Sequence, residues 1–380
     1  MADGGSESKK TILVINQNIS GMNHFLFTEL KKEFNLIVED VPEPSFRIFL
    51  LKLFSFHPSI SQWKSRIRKA TQKYSVSAKC FLKRSVYARA LVKRHEGQYD
   101  AILQLTGMFD SLSIEAQKPK FLFVSYNTHL AYHEWRKWAP FDNKEAFIEW
   151  YRQEKKLYNS ADNILCTNQY AMNSLMADYG ISSKKLTNIG YGINFQSLPE
   201  FTKQYASENP VALFVGYDFE RKGGKDVVEA FKIVRQKLAY VTLRIVGPPE
   251  LDEQYKVPGI EFLGEVSDRE EMKRQFEIAS FYVMPSICEP FGLVFLEAMA
   301  YKNPCIGSTN NAMPEIIESG KTGYTAPPNS PKDLAGYMEA LYSDEELRRQ
   351  MGEAAFRRVK DKFTWEVTGE NVRNAIRAAV

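Results

Sequence analysis

The sequence predicts an α/β protein of two doubly wound domains that face each other across a cleft. Three observations point there. Short apolar runs rich in β-branched residues alternate with helical patterns, as parallel βαβ units do. The alternation starts twice, at Thr11 and again at Val211. A chain of 380 residues is also longer than one compact core usually spans.

Thr11-Ile-Leu-Val-Ile15 reads as a buried first strand, closed by Asn16-Gln-Asn and the turn at Ser20-Gly21. Ala101–Leu105, Phe121–Val124 and Asn163–Cys166 repeat that apolar pattern, and Glu145 to Tyr158 carries a helical period between them. The halves are separated by the stretch from Pro199 to Pro210, with the linker near residues 192–210. The pattern then restarts: strand Val211–Val215 ending at Gly216, an amphipathic helix over Asp226–Leu238, and strand Val241–Val246 closed by Gly247-Pro-Pro249. Ile260–Leu263, a helix over Arg269–Ala279 and strand Phe281–Met284 follow. Two Rossmann-like domains would place ligands beyond the carboxyl ends of these strands.

Composition narrows the class. Hydrophobic residues make up 44% and charged residues 25%, as in ordinary globular proteins. Met1 to Lys10 is polar, without the apolar centre of a secretory signal, and no apolar run reaches the ~18 residues of a membrane span. The four cysteines, Cys80, Cys166, Cys288 and Cys305, show no CxxC spacing, so neither a disulfide framework nor a zinc site is expected, and a reducing cytoplasm fits. The net charge of +4 hides an asymmetry: Pro44 to His95 holds 13 Lys and Arg and no Asp or Glu, so the remainder is acidic. One segment, not the whole chain, would face an anionic partner. Phe46, Phe49, Leu50, Leu53 and Phe54, then Trp63, Ile67, Phe81 and Leu82, add apolar surface to it. Residues 46–94 therefore read either as a peripheral contact with an anionic membrane or as a helical subdomain with its apolar face in the core. No recognition motif accompanies the charge, and no nucleic-acid partner is expected.

The most informative stretch runs from Met284 to Ala300. A strand ends near Met284 and a loop carries Glu289. Pro290 suits a first helical position. Phe291, Gly292 and Leu293 would then offer backbone N–H groups at a helix N-terminus, a site for hydroxyl or phosphate oxygens. Glu297 lies inside the helix. Two acceptor-only carboxylates so placed can grip two parts of an elongated, hydroxyl-rich ligand. By spacing alone, Glu297 reads equally as a solvated helix residue.

The surrounding residues change that balance. Glu289 to Glu297 forms an E-x7-E, and the stretch resembles the donor-binding motif of retaining glycosyltransferases of the GT-B fold, the large group 1, family-four-like set. Tyr301-Lys-Asn-Pro-Cys-Ile-Gly307 resembles the strand after that motif, and Met313 to Gly323 resembles the following L-P-E-x4-G-x2-G segment. Phe363-Thr-Trp-Glu366 resembles the C-terminal segment that crosses back to the first domain. The likeness is strong over residues 210–380, weaker over 160–195 and diffuse elsewhere. It implies an acceptor-side domain at 1–195, a nucleotide-sugar domain at 196–364 and a crossing helix at 365–380. It further implies that Glu289 contacts donor-sugar hydroxyls, Glu297 the ribose, and the N–H groups of Phe291, Gly292 and Leu293 the sugar and distal phosphate.

A second cluster is Val215-Gly-Tyr-Asp-Phe-Glu-Arg-Lys-Gly-Gly224. A departing diphosphate needs fixed positive charge, and Arg221 and Lys222 follow a strand end, although such a pair in isolation reads as a solvated basic turn. Lys222 fits the family lysine. The family arginine directly after the glycine is replaced here by Tyr217, and Arg221 is expected to stand in for it. Gly21, in Ser20-Gly-Met-Asn-His24, resembles the family's first-domain glycine loop. His129 follows the strand Phe121–Val124 and matches a family histidine close to the transferred sugar, with His133 second. Both also read as ordinary packing.

No Asp-x-Asp occurs in the chain, nor G-x4-G-K-[ST], nor G-x-G-x2-G. The resemblance implies a retaining transferase that takes a nucleotide-diphosphate sugar, UDP by default, to an unnamed acceptor, and the missing Asp-x-Asp adds the expectation of no metal and no cofactor. The alternative is a scaffold that kept the fold and lost catalysis, for which Tyr217 speaks.

Overall fold

A computed structural model describes residues 9–17, 23–43 and 60–380. The chain divides into two compact units, Met1–Gly190 with Thr368–Val380, and Tyr191–Val367.

In the first unit six parallel strands, β1 (Thr11–Asn16), β2 (Asn35–Asp40), β3 (Ala101–Leu105), β4 (Lys120–Val124), β5 (Asn163–Cys166) and β6 (Leu186–Asn188), lie in the order β2-β1-β3-β4-β5-β6. A parallel sheet is covered on both faces, so its central strands must be apolar throughout; Ile12 to Ile15 and Ala101 to Leu103 are accordingly buried without alternation. The helices are α1 (Asn23–Leu30), α2 (Ile60–Ser75), α3 (Ala78–Arg94), α4 (Thr128–Glu134), α5 (Lys144–Ser160) and α6 (Gln169–Ala177). Ser77, Asn127, Asn143 and Asn168 cap α3 to α6, each side chain accepting from a backbone N–H of the first turn, worth about 1 kcal/mol apiece. Within this unit Arg373 donates to the Glu29 carbonyl at 2.7 Å and its carboxylate at 3.0 Å, tying the chain's last residues to α1.

In the second unit β7 (Val211–Val215), β8 (Thr242–Val246), β9 (Ile260–Gly264), β10 (Phe281–Val283), β11 (Cys305–Ser308) and β12 (Gly323–Ala326) are again parallel, in the order β12-β11-β10-β7-β8-β9. The connections carry α7 (Gly224–Arg235), α8 (Arg269–Ile278), α9 (Leu293–Ala300), α10 (Met313–Ile316), α11 (Pro331–Ser343) and α12 (Glu345–Lys362). A last helix, α13 (Trp365–Arg377), follows. The chain winds outward from β7 in one direction to β9, then in the other from β10 to β12. The direction reverses between β7 and β10, and the loops leaving their carboxyl ends diverge there.

Pro290 is not the first helical residue. Gly292 sits in the left-handed region at φ +92° as the N-cap, and α9 begins only at Leu293; a helix cannot run through that conformation. The basic stretch is helical where described, with Cys80, Phe81, Ala88, Leu91 and Val92 of α3 buried in the core. Residues 46–59 of it, and the loop of Gly21, lie outside the described residues.

Candidate functional site

The two loops at the switch point of the second unit carry the candidate residues. After β7 the chain passes Gly216 and turns into α7 through Gly223, whose φ is +76°. A Cβ at Gly223 would stand 2.3 Å from the Pro285 carbonyl oxygen, so this glycine serves both a left-handed turn and contact with the loop after β10. A Cβ at Gly216 would meet the Lys222 side chain at 2.8 Å, so its absence makes room for the lysine stem. The loops are stapled further: Ile287 N–H donates to the Arg221 carbonyl at 2.8 Å, and Glu289 N–H to Asn311 Oδ1 at 2.8 Å.

This framework brings the sequence-selected charges together. The Lys222 ammonium is hydrogen-bonded to the Glu289 carboxylate. Arg221 Nη1 reaches the same carboxylate oxygen at 3.2 Å and donates to the Cys288 carbonyl at 2.7 Å, while its Nε lies 3.5 Å from Asp218. Arg221 is buried, whereas the neighbouring Tyr217 is 59% exposed, so the residue in the family arginine's position faces solvent and the arginine braces the Glu289 loop. Glu297 is on the first turns of α9. Burial pushes its carboxyl up to about 7, with the Lys222 charge opposing. Below them Tyr282 donates to the Val215 carbonyl at 3.2 Å. Burial holds its hydroxyl far above the usual range, and Cys305, Glu289 and Glu297 add to that. Gly292 N-caps α9, leaving the amides of the first turn ahead of the Phe295-to-Gly292 bond at 2.9 Å. Phe291 is buried, with its ring 5.2 Å from that of Tyr191.

The arrangement offers one ammonium, one braced guanidinium, two carboxylates and a helix N-terminus within one set of loops. Positive charge and N–H groups suit phosphate oxygens; carboxylates suit hydroxyls. Among the described residues, no group of three or more His, Cys, Asp or Glu is placed to hold a metal ion.

His129 belongs to the first unit, in the first turn of α4. Its Nδ1 lies 3.1 Å from Asp178 Oδ2, and its ring centroid is 4.4 Å from that of His133. Burial lowers its pKa, Asp178 opposes and His133 adds to the lowering. Sequence reading missed what stands behind it. Glu154 is buried on α5 and accepts from Tyr179 and Tyr158, at 2.5 and 2.8 Å, and from the Thr128 N–H and hydroxyl, both at 3.2 Å. Burial raises its pKa, and those donors pull it back. Tyr179 also accepts from the His129 N–H at 3.2 Å, so the Glu154 network fixes the turn that presents His129. The available signal was a glutamate on the apolar stripe Phe147, Trp150, Leu157 and Tyr158, where an unpaired charge would be costly.

Two doubly wound units with parallel sheets, one bearing a charged switch-point site, define the GT-B class. Residues 199–358 match the model of the family described as glycosyl transferases group 1. The mannosylfructose-phosphate synthase of Agrobacterium fabrum is 26% identical over 249 residues, covering 59% of this chain and 55% of that protein. The chain spans between half and two thirds of the length of such curated relatives. Among solved structures, the sucrose-phosphate synthase of Thermosynechococcus elongatus superposes with a TM-score of 0.67 at 17% identity, covering 97% of this chain and 99% of that one. The Anabaena protein HepE, solved in complex with UDP, superposes with a TM-score of 0.65 at 16% identity, covering 97% and 100%. At such identities these likenesses establish the fold.

Proposed function

We propose that the protein is a retaining glycosyltransferase that uses a nucleotide-diphosphate sugar, a UDP-sugar in the first instance, without a metal ion or other cofactor. The observation that carries the proposal is the convergence of Lys222, Glu289 and Glu297 at one topological switch point. Glu289 binds hydroxyls of the transferred sugar and Glu297 those of the ribose. Lys222 holds the diphosphate, with Arg221 beside it, and the amides of Phe291, Gly292 and Leu293 bind the sugar and distal phosphate. Gly21 and His129 are further donor-binding candidates, on the resemblance of their sequence segments alone. The UDP complex of HepE supports the choice of base.

In the reaction the bond from the sugar's anomeric carbon to the diphosphate oxygen breaks, and its electron pair leaves with the diphosphate. The transition state has oxocarbenium character, as in glycoside hydrolysis. Lys222 and the helix amides stabilise the growing negative charge without reorganising. The acceptor hydroxyl bonds to the same face of the sugar, and its proton passes to a donor phosphate oxygen. The acceptor is a lipid or polysaccharide precursor, and residues 46–94 give the protein a peripheral contact with an anionic membrane. A screen of UDP- and GDP-sugars for slow donor hydrolysis, with and without EDTA, tests the reading. Cleavage that survives chelation and releases the sugar with its anomeric configuration kept is the expected result. A protein that neither cleaves nor is thermally stabilised by any nucleotide-diphosphate sugar would be the scaffold instead.

A further inference from the structure

We propose that the outward face of α3 is the surface through which the protein meets an anionic lipid bilayer; this deepens the peripheral-membrane reading above and rests on it. α3 is a core helix on one side, with Cys80, Phe81, Ala88, Leu91 and Val92 buried. Its opposite side should be uniformly polar, and it is not. Leu82, Val86 and Tyr87 stand 42%, 65% and 43% exposed along it. Lys79, Lys83 and Lys93 are exposed on the same side, and none has an acidic partner among the described residues.

That mixture identifies the occupant. A protein partner with a purely apolar face would leave three ammonium groups desolvated and unpaired, which is costly. A lipid interface accepts both kinds of group, with apolar tips below the headgroups and lysine stems bent so that the charges meet phosphates. Tyrosine is at home at that depth. Pro44 to His95 carries no acidic residue, so nothing within the segment repels a negative surface. Lys73 at the end of α2 is paired with Asp142, and Glu149 lines the groove of about 390 Å³ shared with Lys79 and Leu82. Charge is therefore balanced at the α2 end, and the membrane contact centres further along, on Lys83, Val86 and Tyr87.

The test is vesicle sedimentation of the full chain with phosphatidylcholine vesicles and with vesicles containing phosphatidylglycerol. The wild type should sediment with the anionic vesicles at low salt and be released by added salt. A lysine near such a surface contributes about fivefold in affinity, so Lys83→Glu should weaken binding about 25-fold by reversing one charge. Val86→Glu should weaken it as well by removing an inserted tip. Both residues are exposed, so melting temperatures should stay at the wild-type value, and donor hydrolysis by the same samples reports separately on the enzymatic reading. Absence of sedimentation at low salt, equal sedimentation with neutral vesicles, or undiminished binding by both variants would overturn the proposal. So would a wild-type dimer that Val86→Glu splits, which would give this face to a second copy of the chain.

Discussion

Glu297→Gln separates the folding cost of the site from its use. A carboxyl held at about 7 instead of 4.5 is penalised when ionised. At ~1.4 kcal/mol per tenfold change, the penalty is about 2 to 3.5 kcal/mol, the lower figure allowing for partial exposure. The folded-state pKa is raised, so the unfolded chain gives up its proton first. Wild-type stability from this group is intact below about 4.5 and is lost as pH rises toward about 7. Glutamine has the shape without the charge. The variant should match the wild type at pH values below that window and be more stable above it, by about 2 to 4 °C in melting temperature per kcal/mol for a unit of this size. Melting curves of both proteins across the window measure it. Donor KM for the variant should rise, because an amide replaces an acceptor-only carboxylate at the hydroxyls. A stability difference independent of pH, or a variant less stable throughout, would refute the claim that burial, offset by Lys222, governs this carboxyl.

Other outcomes follow from the same geometry. Lys222→Ala should lower kcat/KM for the donor by about 10²- to 10³-fold, as loss of one preorganised charge partner does; steady-state kinetics checks it. Gly223→Ala must hold φ +76° and place a Cβ 2.3 Å from the Pro285 carbonyl, so a loss of more than about 1 kcal/mol is expected in urea unfolding. Arg373→Met leaves the buried Glu29 carboxylate with Lys32 as its remaining cation, at 2.6 Å, and should destabilise the first unit by about 2 kcal/mol through the lost charged hydrogen bond, seen as an earlier unfolding transition. The His129 imidazole should titrate below 6.5 by NMR, and Asp178→Asn, which removes the opposing charge, should lower it further.

Much of the fold was legible because parallel strands declare themselves. Val211–Val215 and Ala101–Leu103 are apolar without alternation, which only a strand buried on both faces requires. The charged cluster was legible for a related reason. Its members lie on two short segments, Gly216 to Gly224 and Met284 to Glu297, each leaving a strand end, so the local pattern selected the residues, while their pairing is tertiary. Local pattern misjudged Pro290, because helix geometry there is set by Gly292 two residues on.

The sequence by itself determined the doubly wound class, the residues of the switch-point loops and the charge asymmetry of Pro44 to His95, since each is a property of neighbours along the chain. Only the tertiary structure decided that Arg221 is buried against Cys288 and Glu289 while Tyr217 faces solvent. It alone set Glu154 beneath the turn of His129 and turned Leu82, Val86 and Tyr87 outward. The reason is that burial and charge pairing depend on which segments pack together, and Cys288 and Arg221, or Thr128 and Glu154, are neighbours in space across long separations in sequence.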